Sequence, residues 1–322
     1  MSEQSNPLIS FAVICYRQER FIAEAVLSAL TQTYSPLEII ISDDCSPDAT
    51  FDVVRELASA YQGPHKIILN RNLTNLGLAE NVNKVWALSS GELVVFQGGD
   101  DISLPIRTHM LVAAWRLRTP RPDLVYSAVR LINEQGLIIG ERAEVATRTP
   151  DISDTLTGRK PFVAGGCAAA YARCLQDKFG PLDPAVVAED FVYSFRAMLG
   201  NGIVGIPQFL VMYRQHPASI IGEFLSPDAQ GKASSKLLQA SLECLHEYKK
   251  AMDIAGTRRF YLRWRLARRI KSLQVELDVR QAPRAYHLGL IVWALFTFRP
   301  RVLTSLLQTM LRQIRPQSHA ES

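Results

Sequence analysis

The chain lacks the local signatures that would assign it at once. No G-x-G-x-x-G follows its first apolar strand, and G-x-x-x-x-G-K-[ST] occurs nowhere, which sets aside dinucleotide and P-loop phosphate binding. G-x-S-x-G is also missing, so the nucleophile elbow of an α/β-hydrolase is not available. The five cysteines, Cys15, Cys45, Cys167, Cys174 and Cys244, show no C-x-x-C spacing. An odd, dispersed set argues against a disulfide framework or a zinc site and for a reducing compartment. No apolar run reaches the ~20 residues that span a bilayer, and the polar start Met-Ser-Glu-Gln-Ser-Asn-Pro does not read as a signal peptide. Residues 279–320 contain no Asp or Glu.

What is present is ordinary globular material. Of 322 residues, 48% are hydrophobic and 21% charged, enough for one large domain with an appendage or for two domains. The net charge of +5 is modest but unevenly placed.

Strand-like and helix-like segments alternate through the first 127 residues. Strands are expected at 8–15, 37–42, 66–69, 93–96 and 124–127, and helices at 20–32, 79–88 and 106–116. Ser46-Pro47-Asp48 predicts an N-cap with proline at the first position of a helix that faces inward through Phe51, Val54, Leu57, Ala58 and Tyr61. This alternation implies right-handed βαβ crossovers and a mostly parallel α/β sheet. Glu134-Gln135-Gly136 predicts a hairpin turn, and 188–200 a helix stopped by Gly200.

Polar groups collect at the carboxyl ends of these strands, where open α/β sheets bind ligands. The fourth strand, Leu93 to Phe96, runs through Gly98 and Gly99 into Asp100 and Asp101. Two adjacent acids repel unless a cation joins them, and a divalent metal is the natural candidate. The first strand ends in Tyr16 and Arg17, the second in Asp43 and Asp44. An aromatic ring can stack on a nucleobase, and a carboxylate can accept from the base N–H. Taken singly, each has a plainer explanation: core packing for Tyr16, helix capping for Asp43 and Asp44. Jointly they favour a nucleoside diphosphate held by a metal on an acidic pair.

Ile9 to Thr50, Asn75 to Asn83 and Ser90 to Asp101 resemble the ordered motifs of family 2 glycosyltransferases, with similarity extending over about residues 8–217. The resemblance implies a GT-A fold, a nucleotide-sugar donor (UDP-linked by preference), Mg²⁺ or Mn²⁺, and transfer with inversion. It implies that Tyr16 lies over the nucleobase, Asp44 hydrogen-bonds it, Asp100 sits near the ribose and Asp101 ligates the metal. Glu189-Asp190 resembles the acceptor-side acidic pair, with Asp190 as general base. Tyr213-Arg214-Gln215-His216 resembles a segment that closes over the diphosphate. Three positions depart from the pattern: Gly98 where a third acid is frequent, Arg17 for Asn, and Val82 for Arg. Gly165-Gly166-Cys167 matches the glycine region of the acceptor loop only loosely.

On this basis a GT-A domain is expected at 1–225 and a helical, basic, amphipathic extension at 226–322. Residues 258–271 carry seven basic side chains and no acid, with Phe260, Trp264 and Ala267 at helical spacing. His287 to Phe298 is too short to span a bilayer but apolar enough to enter its interface. Basic residues with Trp and Phe on a helix suit an anionic membrane surface. A packed appendage or a homodimer interface would use the same pattern; a nucleic-acid partner is not expected, since no such motif accompanies it. The chain is therefore read as cytoplasmic and peripheral on the inner membrane, acting on a glycan or lipid-linked acceptor. Two rivals stand beside the transferase. A nucleotidyltransferase would need a basic, glycine-rich loop after the first strand, where Cys15-Tyr16-Arg17-Gln18-Glu19 stands. A non-catalytic nucleotide-sugar-binding scaffold would differ in showing no transfer.

Overall fold

The computed structural model describes residues 5–146, 148–157, 164–217, 219 and 232–281. The first half is a run of βα units: β1 (Ile9–Cys15), α1 (Ile22–Leu30), β2 (Leu37–Asp43), α2 (Thr50–Ala60), β3 (Lys66–Arg71), α3 (Leu78–Leu88) and β4 (Leu93–Gly98). These four strands pair in parallel in the order β3–β2–β1–β4. The chain continues through β5 (Ile102–Ser103), α4 (Arg107–Arg116), β6 (Leu124–Ile132), β7 (Ile138–Arg142), α5 (Ile152–Thr157), β8 (Ala169–Ala172), α6 (Arg173–Phe179), α7 (Glu189–Met198) and β9 (Ile203–Arg214).

The full sheet order is β3–β2–β1–β4–β8–β6–β9–β5, with β7 hairpinned onto β6. The longest ladders are parallel, and the antiparallel ones are short, including those of β8 between β4 and β6. The α/β, mostly parallel architecture expected from the sequence is therefore present.

Side chains alternate across each strand, so the sheet has a core on both faces. Ala12, Ile40, Val94 and Phe96 face α3 and α7, packing with Val85, Trp86, Tyr193 and Phe195. Phe11, Val13, Ile39, Ile41, Leu93 and Val95 face α1 and α4, packing with Val26, Leu111 and Trp115. Burial on both faces explains why these strands are mostly apolar; the buried Ser10 of β1 and Glu38 of β2 hydrogen-bond to each other. β3, at the sheet edge, is only partly buried.

One helix start differs from expectation. α2 begins at Thr50 with Ala49, not Ser46, at the N-cap, and Asp48 Oδ1 accepts from the Thr50 N–H. Ser46 is used elsewhere: its Oγ accepts from the Arg17 N–H at 2.9 Å and donates to Asp43. Pro47 therefore lies in the connecting loop.

Two long helices follow, α8 (Lys232–Ile254) and α9 (Phe260–Gln281). Cys244, Leu245, Tyr248, Ala251 and Met252 of α8, with Leu262 and Leu266 of α9, share one core with α7. Tyr248 stacks on Phe195 with centroids 3.9 Å apart, and a buried Arg196–Glu247 pair at 2.7 Å ties α7 to α8. Arg196 also donates to the carbonyls of Gly180 and Pro181, so this buried charge is satisfied on several sides. The expected domain boundary at 225/226 and the apolar segment 287–298 lie outside the described residues. No helix among the described residues is long and apolar enough to cross a membrane.

Candidate active site

The register sets the rim. Cys15 pairs with Asp43 and Ile14 with Gly98, so Tyr16, Asp44 and the Asp100–Asp101 pair leave neighbouring strands at one edge. β8 runs opposite to β4, so the segment entering β8, the 3₁₀ turn Gly166–Ala168, reaches the same rim. β6 and β9 extend beyond it and bring Tyr213, Arg214 and His216 over the acids.

Beyond the ends of β1 and β2, Tyr16 is 41% exposed. Arg17 and Cys45 adopt left-handed backbone (φ 54° and 60°), a conformation uncommon for residues other than glycine. Asp44 is buried and saturated on one side: its Oδ1 accepts from Asn72 Nδ2 and the Leu76 N–H, its Oδ2 from the Gly77 N–H at 2.8 Å. Gly77 is the N-cap of α3, so the carboxylate also faces that helix's positive end. Asn72 is braced by Asn70 and Asn81.

Beyond the end of β4, Asp101 is 1% exposed and its Oδ1 accepts from the Arg214 N–H at 2.9 Å. Burial, then the neighbouring Asp100 charge, pushes its carboxyl well above the usual range. His216 Nε2 lies 2.9 Å from Asp100 Oδ2, and its ring packs on Phe21 at 5.0 Å. A Cβ on Gly98 would fall 2.6 Å from Asp100 Oδ1 and 3.0 Å from Asp101 Oδ2. The two carboxylates thus converge on the space a side chain would fill, which explains glycine where a third acid is frequent.

Among the described residues no three His, Cys, Asp or Glu side chains form a metal cage. Two hard carboxylates with an imidazole beside them nevertheless fit Mg²⁺ or Mn²⁺, since Mg²⁺ is usually held by one or two carboxylates plus substrate phosphates.

Arg214, expected over the diphosphate, is turned inward. Its guanidinium donates to the carbonyls of Asp100, Asn133 and Glu134 and to Glu24 Oε2. It clamps the acidic loop to α1 and the β6–β7 turn, while the His216 side chain meets the Asp100 carboxylate.

At the other end, α7 begins with Glu189 and Asp190. Asp190 Oδ2 accepts weakly from the Gly166 N–H at 3.4 Å and Oδ1 from the Phe191 N–H. Burial pushes Asp190 up to about 6; burial together with Asp190 pushes Glu189 up to about 8. Tyr171 on β8 is buried nearby, and its hydroxyl has no partner among the described residues.

Arg107 was not foreseen. It is fully buried, donates to Ser103 Oγ and the Phe96 carbonyl, and lies within electrostatic reach of Asp101. Burial lowers its pKa to about 10. A lone arginine at a helix start carries no local signal of such burial.

The mostly parallel α/β sheet has the GT-A fold of the glycosyltransferases to which the chain is similar. The description "Glycosyl transferase family 2" matches residues 10–177, and the chain belongs to that family and is a glycosyltransferase. The putative glycosyltransferase EpsE of Bacillus subtilis is 36% identical over 109 residues, 34% of this chain and 38% of that one. Among solved structures, Staphylococcus aureus TarS in complex with UDP-GlcNAc superposes with a TM-score of 0.58 at 15% identity, covering 96% of this chain and 93% of that one. A Pyrobaculum calidifontis mannosyltransferase in complex with GDP-Man and Mn²⁺ gives 0.53 at 16%, covering 98% and 89%.

Proposed function

We propose that the protein transfers a sugar, with inversion, from a UDP-linked donor to a hydroxyl of a glycan or lipid-linked acceptor, with Mg²⁺ or Mn²⁺ at Asp101. The observation that carries this is the convergence of two acid pairs on one rim, one beside an imidazole and one with raised pKa values across the Gly166–Ala168 turn.

In this reading Tyr16 stacks on the base. An ionised carboxylate has about four acceptor positions; Asp44 spends three, and a remaining one on Oδ2 takes the base N–H. Asp100 holds the ribose side and Asp101 the metal, which when bound offsets charge on the leaving diphosphate. Arg214 holds the acidic loop in place, and His216 lies beside the diphosphate. Asp190 takes the acceptor hydroxyl proton as that oxygen bonds to the anomeric carbon. The anomeric C–O bond to the diphosphate breaks, and the nucleoside diphosphate leaves with the electron pair.

A panel of UDP- and GDP-sugars, assayed by thermal shift and by nucleoside diphosphate release with and without Mn²⁺, tests this. A UDP-sugar should stabilise the chain and turn over only with metal; a panel in which no donor binds or reacts would sink it.

We also place the enzyme peripherally on the cytoplasmic face of the inner membrane, in surface-glycan assembly. Phe260 (80% exposed), Tyr261 and Trp264 share one face of α9, with Arg265 over Tyr261 at 4.1 Å and Arg268 over Trp264 at 4.7 Å. Exposed aromatics beside basic residues suit an anionic interface, where each cation contributes about 1 kcal/mol. The full chain should float with anionic vesicles and less so after Phe260→Ser and Trp264→Ser; failure of the parent chain to float removes this placement.

A further inference from the structure

A groove of about 610 Å³ lies between α8 and α9 and is lined by none of the rim residues. Met252 of α8 and Leu266, Ala267 and Ile270 of α9 give it an apolar lining. Its charged members differ in what they already hold. Arg263 is engaged by Asp253 and by the carbonyls of Met252 and Thr257. Asp278 accepts from Gln274. Lys249 and Lys271 are exposed and have no carboxylate partner among the described residues, whereas Lys250 next door pairs with Glu247. An apolar slot with two open cations at its margin matches an amphiphile that has a hydrocarbon chain and an anionic head. The size selects as well: small-molecule sites run to roughly 300–1,000 Å³, whereas a stable protein partner needs about 20–30 residues a side.

The groove is also well placed. Ala267 and Lys271 follow Trp264 by three and seven residues, so they share its face of α9 and the groove opens beside the exposed aromatics. On the α8 side, Cys244 and Tyr248 donate to the carbonyls of Ala188 and Phe191, which flank Asp190. Lys249 is the next residue and Met252 lies about one turn further on. One helical layer thus carries both the groove and the support of the acceptor-side acid.

We propose that this groove seats a lipid phosphate, the carrier end of a lipid-linked acceptor. The chain lies along Met252, Leu266 and Ile270, and the phosphate meets Lys249 and Lys271. This rests on the acceptor class proposed above and gives it a site distinct from the membrane surface as a whole.

Decyl phosphate, kept below its critical micelle concentration, is titrated into the full chain by calorimetry, with decanol and inorganic phosphate alongside. The parent chain should bind decyl phosphate at least about tenfold more tightly than either, the scale of a charge-assisted contact added to an apolar one. Ala267→Phe fills the groove from an exposed position and should weaken decyl phosphate roughly tenfold or more, with melting temperature and UDP binding as folding controls. Lys249→Gln together with Lys271→Gln should bring decyl phosphate down to the level of decanol. No binding to the parent chain, or unchanged affinity in a folded Ala267→Phe, would overturn the proposal. So would inorganic phosphate binding as tightly as decyl phosphate, which marks a free-anion site. Self-association of the parent chain that Ala267→Phe abolishes, without lipid binding, would assign the groove to a second copy instead. Should Ala267→Phe not fold, the lysine variant decides alone. These titrations contain no donor, so failure to bind any nucleotide sugar overturns the transferase reading separately.

Discussion

Replacing Asp190 with asparagine is expected to lower kcat by roughly 10²–10⁴-fold, the usual contribution of a positioned general base, while donor affinity stays within about twofold. Asparagine keeps one oxygen, which can accept from the Gly166 N–H or the Phe191 N–H but not both, so part of the anchoring of the turn is retained. What it lacks is a place for the acceptor proton. The pH dependence provides a second readout. Burial pushes Asp190 up to about 6. The working form is the ionised one, so kcat should rise with pH through that value and level off above it. Glu189 is pushed higher, by burial and by Asp190 itself, so Asp190 is the acid of the pair that ionises first, and the two titrations belong to the pair. In Asp190→Asn the rise near 6 should vanish. Turnover that is unchanged, or a variant that retains the same acidic limb, would take Asp190 out of the base role.

The second large effect is at Asp101. Asp101→Ala should abolish the metal-dependent part of donor binding, a loss of at least ~100-fold in affinity given that even indirect supports of a metal site cost 10–100-fold. Alanine also removes the acceptor of the buried Arg214 N–H, which by itself costs about 1–3 kcal/mol of stability. Asp101→Asn separates the two consequences, because its amide oxygen can still accept from Arg214 while a neutral side chain holds a divalent cation poorly. Calorimetry of UDP binding with Mn²⁺ and with EDTA gives the answer. Equal nucleotide affinity in both conditions for the parent chain would count against a metal at this position.

Much of the front half of the fold was legible because its signals are local. β1, β2 and β4 are buried on both faces, so their residues are mostly apolar, with Ser10 and Glu38 hydrogen-bonded to each other in the interior, and the intervening helices repeat their apolar residues at helical spacing. The acids at the strand ends were legible for the same reason: strand direction alone puts them on one rim. β8 was not legible. Ala169, Ala170, Tyr171 and Ala172 contain no β-branched residue, and they form a strand because β4 and β6 offer hydrogen-bonding partners on either side. Tertiary pairing, rather than propensity, makes that strand, and with it the placement of the Gly166–Ala168 turn.

Side-chain type in the sequence determined which chemistry is available: two acid pairs, an aromatic, an imidazole, and glycines where the backbone must come close. Tertiary structure decided what each group can do. Arg214 reads as a free cation for phosphate, and the fold spends it on three carbonyls and Glu24, residues 80 to 190 positions away. Gly98 reads as a missing acid, and the fold fills its would-be side-chain space with the oxygens of Asp100 and Asp101. Asp190 reads as an ordinary helix-start acid until α7 is packed beneath Cys244 and Tyr248 of α8, more than fifty residues further on. Desolvation is a property of what surrounds a group, and its neighbours here come from distant parts of the chain, so no local stretch of sequence encodes it.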